Sequence, residues 1–198
     1  MAQPPTLATE RLTLRAFEPG DIDDLAPLFA DAGAMWDVLS IPGMPRDPRE
    51  AAAQRIGDAI SGWETYDAGF WAVVSRTSEL ASPGRLLGYC GFVNPAKGEI
   101  GAGAEETFEV GWAIFPAFRR RGLAAEAMTA VLDHAFRRMG CTRLIGITDP
   151  ANRASRALME RLGFVFEADV HAYGVPQVRY ELTRAAHLAH KTRRSGCR

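Results

Sequence analysis

Cysteine is scarce in this chain. Cys90, Cys141 and Cys197 make an odd number, with no pair at CxxC-type spacing. A disulfide framework and a cysteine-based zinc site are therefore not expected, and the thiols should be free. No stretch approaches ~18 uninterrupted apolar residues, so no membrane span is expected. Met1 to Leu14 lack the apolar run of a signal peptide, which points to the cytoplasm. Neither sign of charge dominates: Lys and Arg number 23 against 24 Asp and Glu, a net charge of -1. No global field draws such a chain to nucleic acid or to a membrane, and neither is expected as a partner.

What remains is the composition of an ordinary globular protein, 47% hydrophobic and 24% charged over 198 residues. That length fits one domain with a core large enough to need no disulfide or metal. The domain is placed at residues 7–185. The ends read as loose: Met1–Thr6 contains Pro4-Pro5, and 186–198 is a basic tail, expected to be solvated or disordered.

Local patterns give an element order. Arg11–Phe17 alternates as a strand, and Pro19-Gly20-Asp21 breaks it, with Asp21 placed to cap a helix over Ile22–Ala30. Asp47 caps a second helix, Pro48–Tyr66, with Ala53, Ile56, Ile60 and Trp63 at helical spacing. Strands follow at Phe70–Ser75, Arg85–Val93 and Thr107–Phe115, separated by turn-forming stretches at Ser82-Pro83-Gly84 and Lys97–Gly103. Leu123–Met139 is a long helix ended by Gly140, and Arg143–Thr148 the next strand. Asn152 caps a helix over Arg153–Leu162 that Gly163 terminates. Strands at Phe164–Ala172 and Val178–Leu182 complete the order β-α-α-β-β-β-α-β-α-β-β. Early antiparallel strands followed by a strand–helix–strand crossover predict a mixed α/β fold with helices on both faces of the sheet.

The segment richest in chemistry runs from Glu109 to Ala124. A strand ends at Pro116 and a helix begins near Leu123. Between them lie Arg119, Arg120, Arg121 and Gly122. Such a junction aims unpaired backbone N–H groups at one point, and the helix dipole adds positive potential. Gly122 lets the backbone come close to a bound group. The helix end contributes only about 0.3–2 kcal/mol, so N–H hydrogen bonds and arginine charge must supply most of the grip on a pyrophosphate. It is neither a GxGxxG fingerprint nor a P-loop.

The register Arg119-x-x-Gly122-x-Ala124 resembles the acyl-CoA pyrophosphate motif of the GNAT superfamily of N-acetyltransferases. A second block, from Asn152-Arg-Ala-Ser155 to Phe164, is similar to that family's fourth-helix motif. There the Asn and a small residue three later approach the cofactor arm. The opening Thr9–Arg15, the closing Tyr180–Arg184 and Glu109-Val-Gly-Trp look most like the branch of ribosomal-protein N-terminal acetyltransferases. The resemblance implies a mostly antiparallel seven-stranded sheet splayed between its fourth and fifth strands, here Thr107–Phe115 and Arg143–Thr148. It implies acetyl-CoA as donor, with the pantetheine arm bonded to backbone near Ala113, Ile114 and Phe115. Arg119, Arg120, Arg121, Gly122, Leu123, Ala124, Asn152 and Ser155 would hold the rest, and no metal is involved. The acceptor would be an amine, on a small molecule or a protein N-terminus, and the protein a monomer or homodimer.

An amine must be neutral to attack a thioester. At pH 7 a lysine-like amine is neutral in roughly one molecule per 2,500, and an α-amine in roughly one per seven. A carboxylate acting through water is base enough for the latter. Glu109 is the candidate, and family members often carry a Glu there. On the strand it shares a face with Thr107, Gly111 and Ala113, small residues that leave room for a ligand. The competing role is an exposed structural Glu on an edge strand; Glu105 and Glu106 are the next candidates for the base. Many relatives place a Tyr, the usual acid, seven residues after the motif Asn. Here that residue is Met159. Ser155, Tyr173, His171 or water remain for the acid. His134 is expected to face solvent, and His187 with His190 to form no metal site. The alternative function is a non-catalytic acyl-CoA-binding sensor or interaction module.

Overall fold

The computed structural model describes residues 4–30, 47–93 and 107–195. The strands are β1 (Leu7–Ala8), β2 (Leu12–Arg15), β3 (Phe70–Ser75), β4 (Leu86–Phe92), β5 (Thr107–Ile114), β6 (Arg143–Thr148), β7 (Val165–Ala172) and β8 (Val175–Thr183). The helices are α1 (Asp21–Ala30), α2 (Pro48–Tyr66), α3 (Leu123–Arg137), α4 (Arg153–Leu162) and α5 (Arg184–Ser195), with a short 3-10 turn at Pro116–Phe118. The sheet runs β1-β2-β3-β4-β5-β6-β8-β7. Every neighbouring pair is antiparallel except β5 and β6, which pair in parallel.

The sheet is thus a strand longer than the seven expected. Leu7–Ala8 folds back on β2, with the Thr9 N–H bonded to the Leu12 carbonyl at 2.9 Å. Two residues are too few for alternation to show. The α/β class, the mostly antiparallel pairing and the predicted helix over Pro48–Tyr66 all hold. The Asp47 side chain accepts from the Glu50 N–H at 2.9 Å, as an N-cap should. Asp21 behaves differently from its expected capping role. It is buried, accepts from the Glu18 N–H, and forms a paired bond to Arg15 at 2.7 and 2.8 Å.

The sheet separates two cores. On one face α1 and α2 pack on Phe70, Ala72, Val74, Leu86 and Tyr89. On the other, α3 and α4 cover Trp71, Val73, Leu87, Cys90, Phe92, Val110 and Leu144. The middle strands β3 and β4 are buried along their whole length, which is why they read as continuous apolar runs. Cys90 and Cys141 are buried free thiols, and burial pushes the Cys90 thiol well up. Cys197 lies outside the described residues.

Where a loose tail was expected from residue 186, β8 runs into the helix α5. His187 is only 3% exposed and its Nε2 meets Asp133 Oδ1 at 2.9 Å, while Lys191 bonds the same carboxylate. Burial opposes ionisation of Asp133, but the bonds from Lys191 and His187 outweigh it and hold the carboxyl below its usual range. The inward face of α5 is thus polar, invisible to a search for apolar spacing. His134 is not solvent-facing: it stands edge-on to Trp71 at 5.6 Å, and burial lowers its pKa.

The first turn of α3 is tied to the N-terminal strands. Glu126 Oε1 accepts from the Thr9 hydroxyl and the Arg11 N–H, and Oε2 from Arg11 Nε at 2.7 Å. Burial opposes ionisation, yet these bonds hold the Glu126 carboxyl below its usual value. A lowered folded-state pKa gives stability that is full above the unfolded value and lost as pH falls through the folded one. Glu126→Gln should therefore lower the melting temperature by about 2–4 °C at pH 7. Melting curves between pH 7 and 3 should show the gap closing below pH ~4.

Candidate active site

Parallel pairing between β5 and β6 runs from Thr107↔Arg143 to Val110↔Gly146 and stops. From Gly111 to Ile114, β5 pairs only with β4. The strands part there, and two cavities open into the gap.

The larger, about 420 Å³, lies on the α3 and α4 side. Ala113, Ile114, Arg119, Arg120, Gly122, Leu123, Ala124, Asn152 and Ser155 line it. Gly122 has φ 77, a left-handed conformation, and caps α3 without any side-chain hydrogen bond. The first N–H groups of the helix therefore face the cavity with no side chain of their own cap to satisfy them. Asn152 caps α4 by accepting from the Ser155 N–H at 3.0 Å. Arg119 turns back to donate from Nε to the Ile114 carbonyl at 2.9 Å.

Two expected members stand outside this lining. The Arg121 guanidinium lies over the Phe118 ring, 5.9 Å from its centroid. Phe115 donates its N–H to the Leu87 carbonyl at 3.0 Å. Backbone polar groups of an antiparallel strand alternate in direction. Those of Ala113 and Phe115 are spent on β4, while those of Trp112 and Ile114 point toward the gap, where Arg119 already bonds the Ile114 carbonyl. Trp112, Leu158 and Arg161 also line the cavity; they fall within the motif blocks, which do not single them out as site residues.

The smaller cavity, about 100 Å³, is lined by Arg55 of α2, Phe70, Tyr89, Glu109, Tyr173 and Gln177, and also by Gly146, Ser155 and Met159. It shares Trp112 and Ser155 with the larger one. Glu109 is 6% exposed on an interior strand, so the exposed edge-strand alternative does not hold. Tyr173 donates its hydroxyl to Glu109 Oε1 at 2.6 Å. It reaches there because β7 and β8 are joined by the tight turn Tyr173-Gly174, with φ 54 and 77. Two successive positive φ values mark a type I′ hairpin, which favours Asn-Gly or Gly-Gly. A bulky residue in that position is a conformational outlier, and here it delivers a phenol to a buried carboxylate.

Met159 is buried. A Cβ on Gly146 would stand 2.5 Å from its sulfur, so the usual tyrosine position is filled by packing against β6. Of the other possible acids, Ser155 and Tyr173 line the smaller cavity, whereas His171 is exposed on β7 and lines neither. Glu105 and Glu106 lie outside the described residues. Among the described residues, no group of three His, Cys, Asp or Glu is placed to hold a metal, and no helix is long and apolar enough to cross a membrane.

Residues 11–165 match the family model of the acetyltransferase (GNAT) domain. The chain belongs to the GNAT acetyltransferase family. Members use acetyl-CoA, and this GNAT chain is an acetyltransferase. It is 36% identical over 157 residues to the uncharacterized N-acetyltransferase YnaD of Bacillus subtilis, spanning 79% of this chain and 81% of that one. A GNAT-family acetyltransferase from Bordetella pertussis superposes with TM-score 0.69 at 28% identity, covering 89% of this chain and 98% of the other. RimJ of Mycobacterium smegmatis, solved in complex with CoA-disulfide, shares the fold with TM-score 0.72 at 17% identity over 94% of each chain. The GNAT fold therefore accounts for the parted strands as well as the motif register.

Proposed function

We propose that this chain transfers the acetyl group of acetyl-CoA to a primary amine by direct attack on the thioester, in the cytoplasm. The carrying observation is the buried carboxylate of Glu109 in a cavity that meets the larger cleft at Trp112 and Ser155.

Acetyl-CoA supplies an activated acyl carbon. The cleft fits it: Arg119, Arg120 and the N–H groups at Gly122, Leu123 and Ala124 receive the pyrophosphate. Asn152 and Ser155 border the pantetheine arm, and the backbone of Trp112 and Ile114 pairs with its amides. The smaller cavity holds the amine. Glu109, directly or through one water, takes the amine proton as nitrogen bonds to the carbonyl carbon. The carbon–sulfur bond then breaks, and the sulfur leaves with the bonding pair. Tyr173 gives that sulfur its proton and regains one from Glu109 along their hydrogen bond, so both groups end the cycle as they began.

Release of free thiol from acetyl-CoA, measured with a broad amine panel and with mass spectrometry of the product, tests the reading. A folded protein that binds CoA and acetylates no amine in the panel would overturn it. Tyr173→Phe keeps the ring and removes the donor. It should lower kcat by about 10²-fold, the low end for a positioned acid, with CoA affinity intact by calorimetry. An unchanged kcat would leave Ser155 or water as the acid.

A further inference from the structure

Arg55 plays no part in the chemistry above, yet it occupies a costly position. It lies on α2 and is only 8% exposed. Its guanidinium carbon stands 4.9 Å from the centroid of the Phe70 ring and 5.2 Å from that of Tyr89. Those rings favour the positive charge but leave its N–H groups unused. Its Nε is buried without a hydrogen-bond partner. Among the described residues, no carboxylate pairs with Arg55. The ion pairs of this half of the fold join Arg15 to Asp21 and Arg49 to Asp23 instead. Buried arginines are almost always paired, because desolvating the charge costs several kcal/mol per ion.

The cavity supplies the missing partner's address. Arg55 and Glu109 both line it. Phe70 ring atoms stand 3.2 Å from where a Cβ on Gly111 would be, and Glu109 is two residues away on the same face of β5. A fixed cation and a fixed anion thus border one small space without forming an ion pair with each other. A bare amine or a polyamine would meet repulsion from Arg55. An amine that also carries a carboxylate meets opposite charge at both ends.

We infer that Arg55 binds a carboxylate of the acceptor, so that the preferred substrate is a small amine bearing an acid group, such as a free amino acid. This rests on the acetyl-transfer reading given under Proposed function. A planar guanidinium whose Nε–H has no partner suits a carboxylate, which it can hold in paired hydrogen bonds. The same chemistry comes from a free amino acid or from an acidic first residue of a peptide. The small volume, about 100 Å³, favours the former.

The test compares initial rates for matched acceptors. These are α-, β- and γ-amino acids, their neutral amides, a polyamine, and short peptides beginning with Asp or Ala. In the wild-type protein the acids should exceed their amides by at least about 100-fold in kcat/KM, through KM. Arg55→Gln should bring that ratio close to one, and Arg55→Lys should retain part of it, both with CoA affinity intact by calorimetry. Peptides beginning with Asp outpacing the free acids would move the carboxylate to a peptide side chain and overturn the small-molecule assignment. Amides or polyamines used as well as acids by the wild-type protein would overturn the inference while acetyl transfer stood; that comparison needs no variant to fold. No turnover with any amine, in a protein that binds CoA, would remove the acetyl-transfer reading and this inference together.

Discussion

Glu109→Gln is expected to lower the rate of acetyl transfer at pH 7 by about 10²–10⁴-fold, the usual contribution of a positioned base. Gln has nearly the same shape and still accepts a hydrogen bond from Tyr173, so folding and CoA affinity should survive. The deficit should shrink as pH rises, because a growing share of the amine is already neutral. It should also be smaller for an α-amine than for a lysine-like amine, whose pKa lies over two units higher. A role in holding the cationic amine would instead raise KM and spare kcat. A pH–rate profile of both proteins with one confirmed acceptor decides between them. A kcat within about threefold of wild type, with chemistry limiting, would exclude the base role.

Gly122→Val should weaken CoA binding by at least about tenfold while leaving a folded protein. A Cβ at this position meets nothing in the chain closer than Arg11 Nη2 at 3.7 Å. The side chain therefore conflicts with a ligand approaching the helix N-terminus, not with the protein. The left-handed backbone adds about 1–2 kcal/mol of strain for a non-glycine residue, which the loop relieves by shifting its N–H groups out of register. Calorimetric titration with CoA, beside a melting curve, measures both. Unchanged affinity in a folded variant would move the pyrophosphate elsewhere.

The lining of the larger cavity was far more legible in the sequence than that of the smaller one. Arg119 to Ala124 and Asn152 to Ser155 are contiguous, and the physics of a helix N-terminus is local, so short motifs capture it. Glu109 was legible for a similar reason: the alternation of β5 shows which face is small. Arg55 and Tyr173 reach the same cavity from an α-helix and a hairpin turn far apart in the chain. Their meeting depends on the order of strands in the sheet, which no local pattern encodes. Tyr173 is one of several possible acids in the sequence, and its 2.6 Å bond to Glu109 depends on the hairpin turn that no local pattern shows. Arg121 and Phe115 lie outside the cavity lining for an equally specific reason. The motif gives position along the chain, but Phe118 and Leu87 decide where the groups point. The short β1 and the polar inner face of α5 escaped because one is too brief and the other too hydrophilic for periodicity to register.

The two cavities share only Trp112 and Ser155 in their linings. With acetyl-CoA in one and the amine in the other, as proposed, each can bind and leave without waiting for the other to clear. On that reading neither reactant has to bind first, and no acetylated form of the protein is needed between them. Double-reciprocal plots at several acceptor concentrations should therefore converge rather than run parallel. Free CoA should compete with acetyl-CoA but not with the amine.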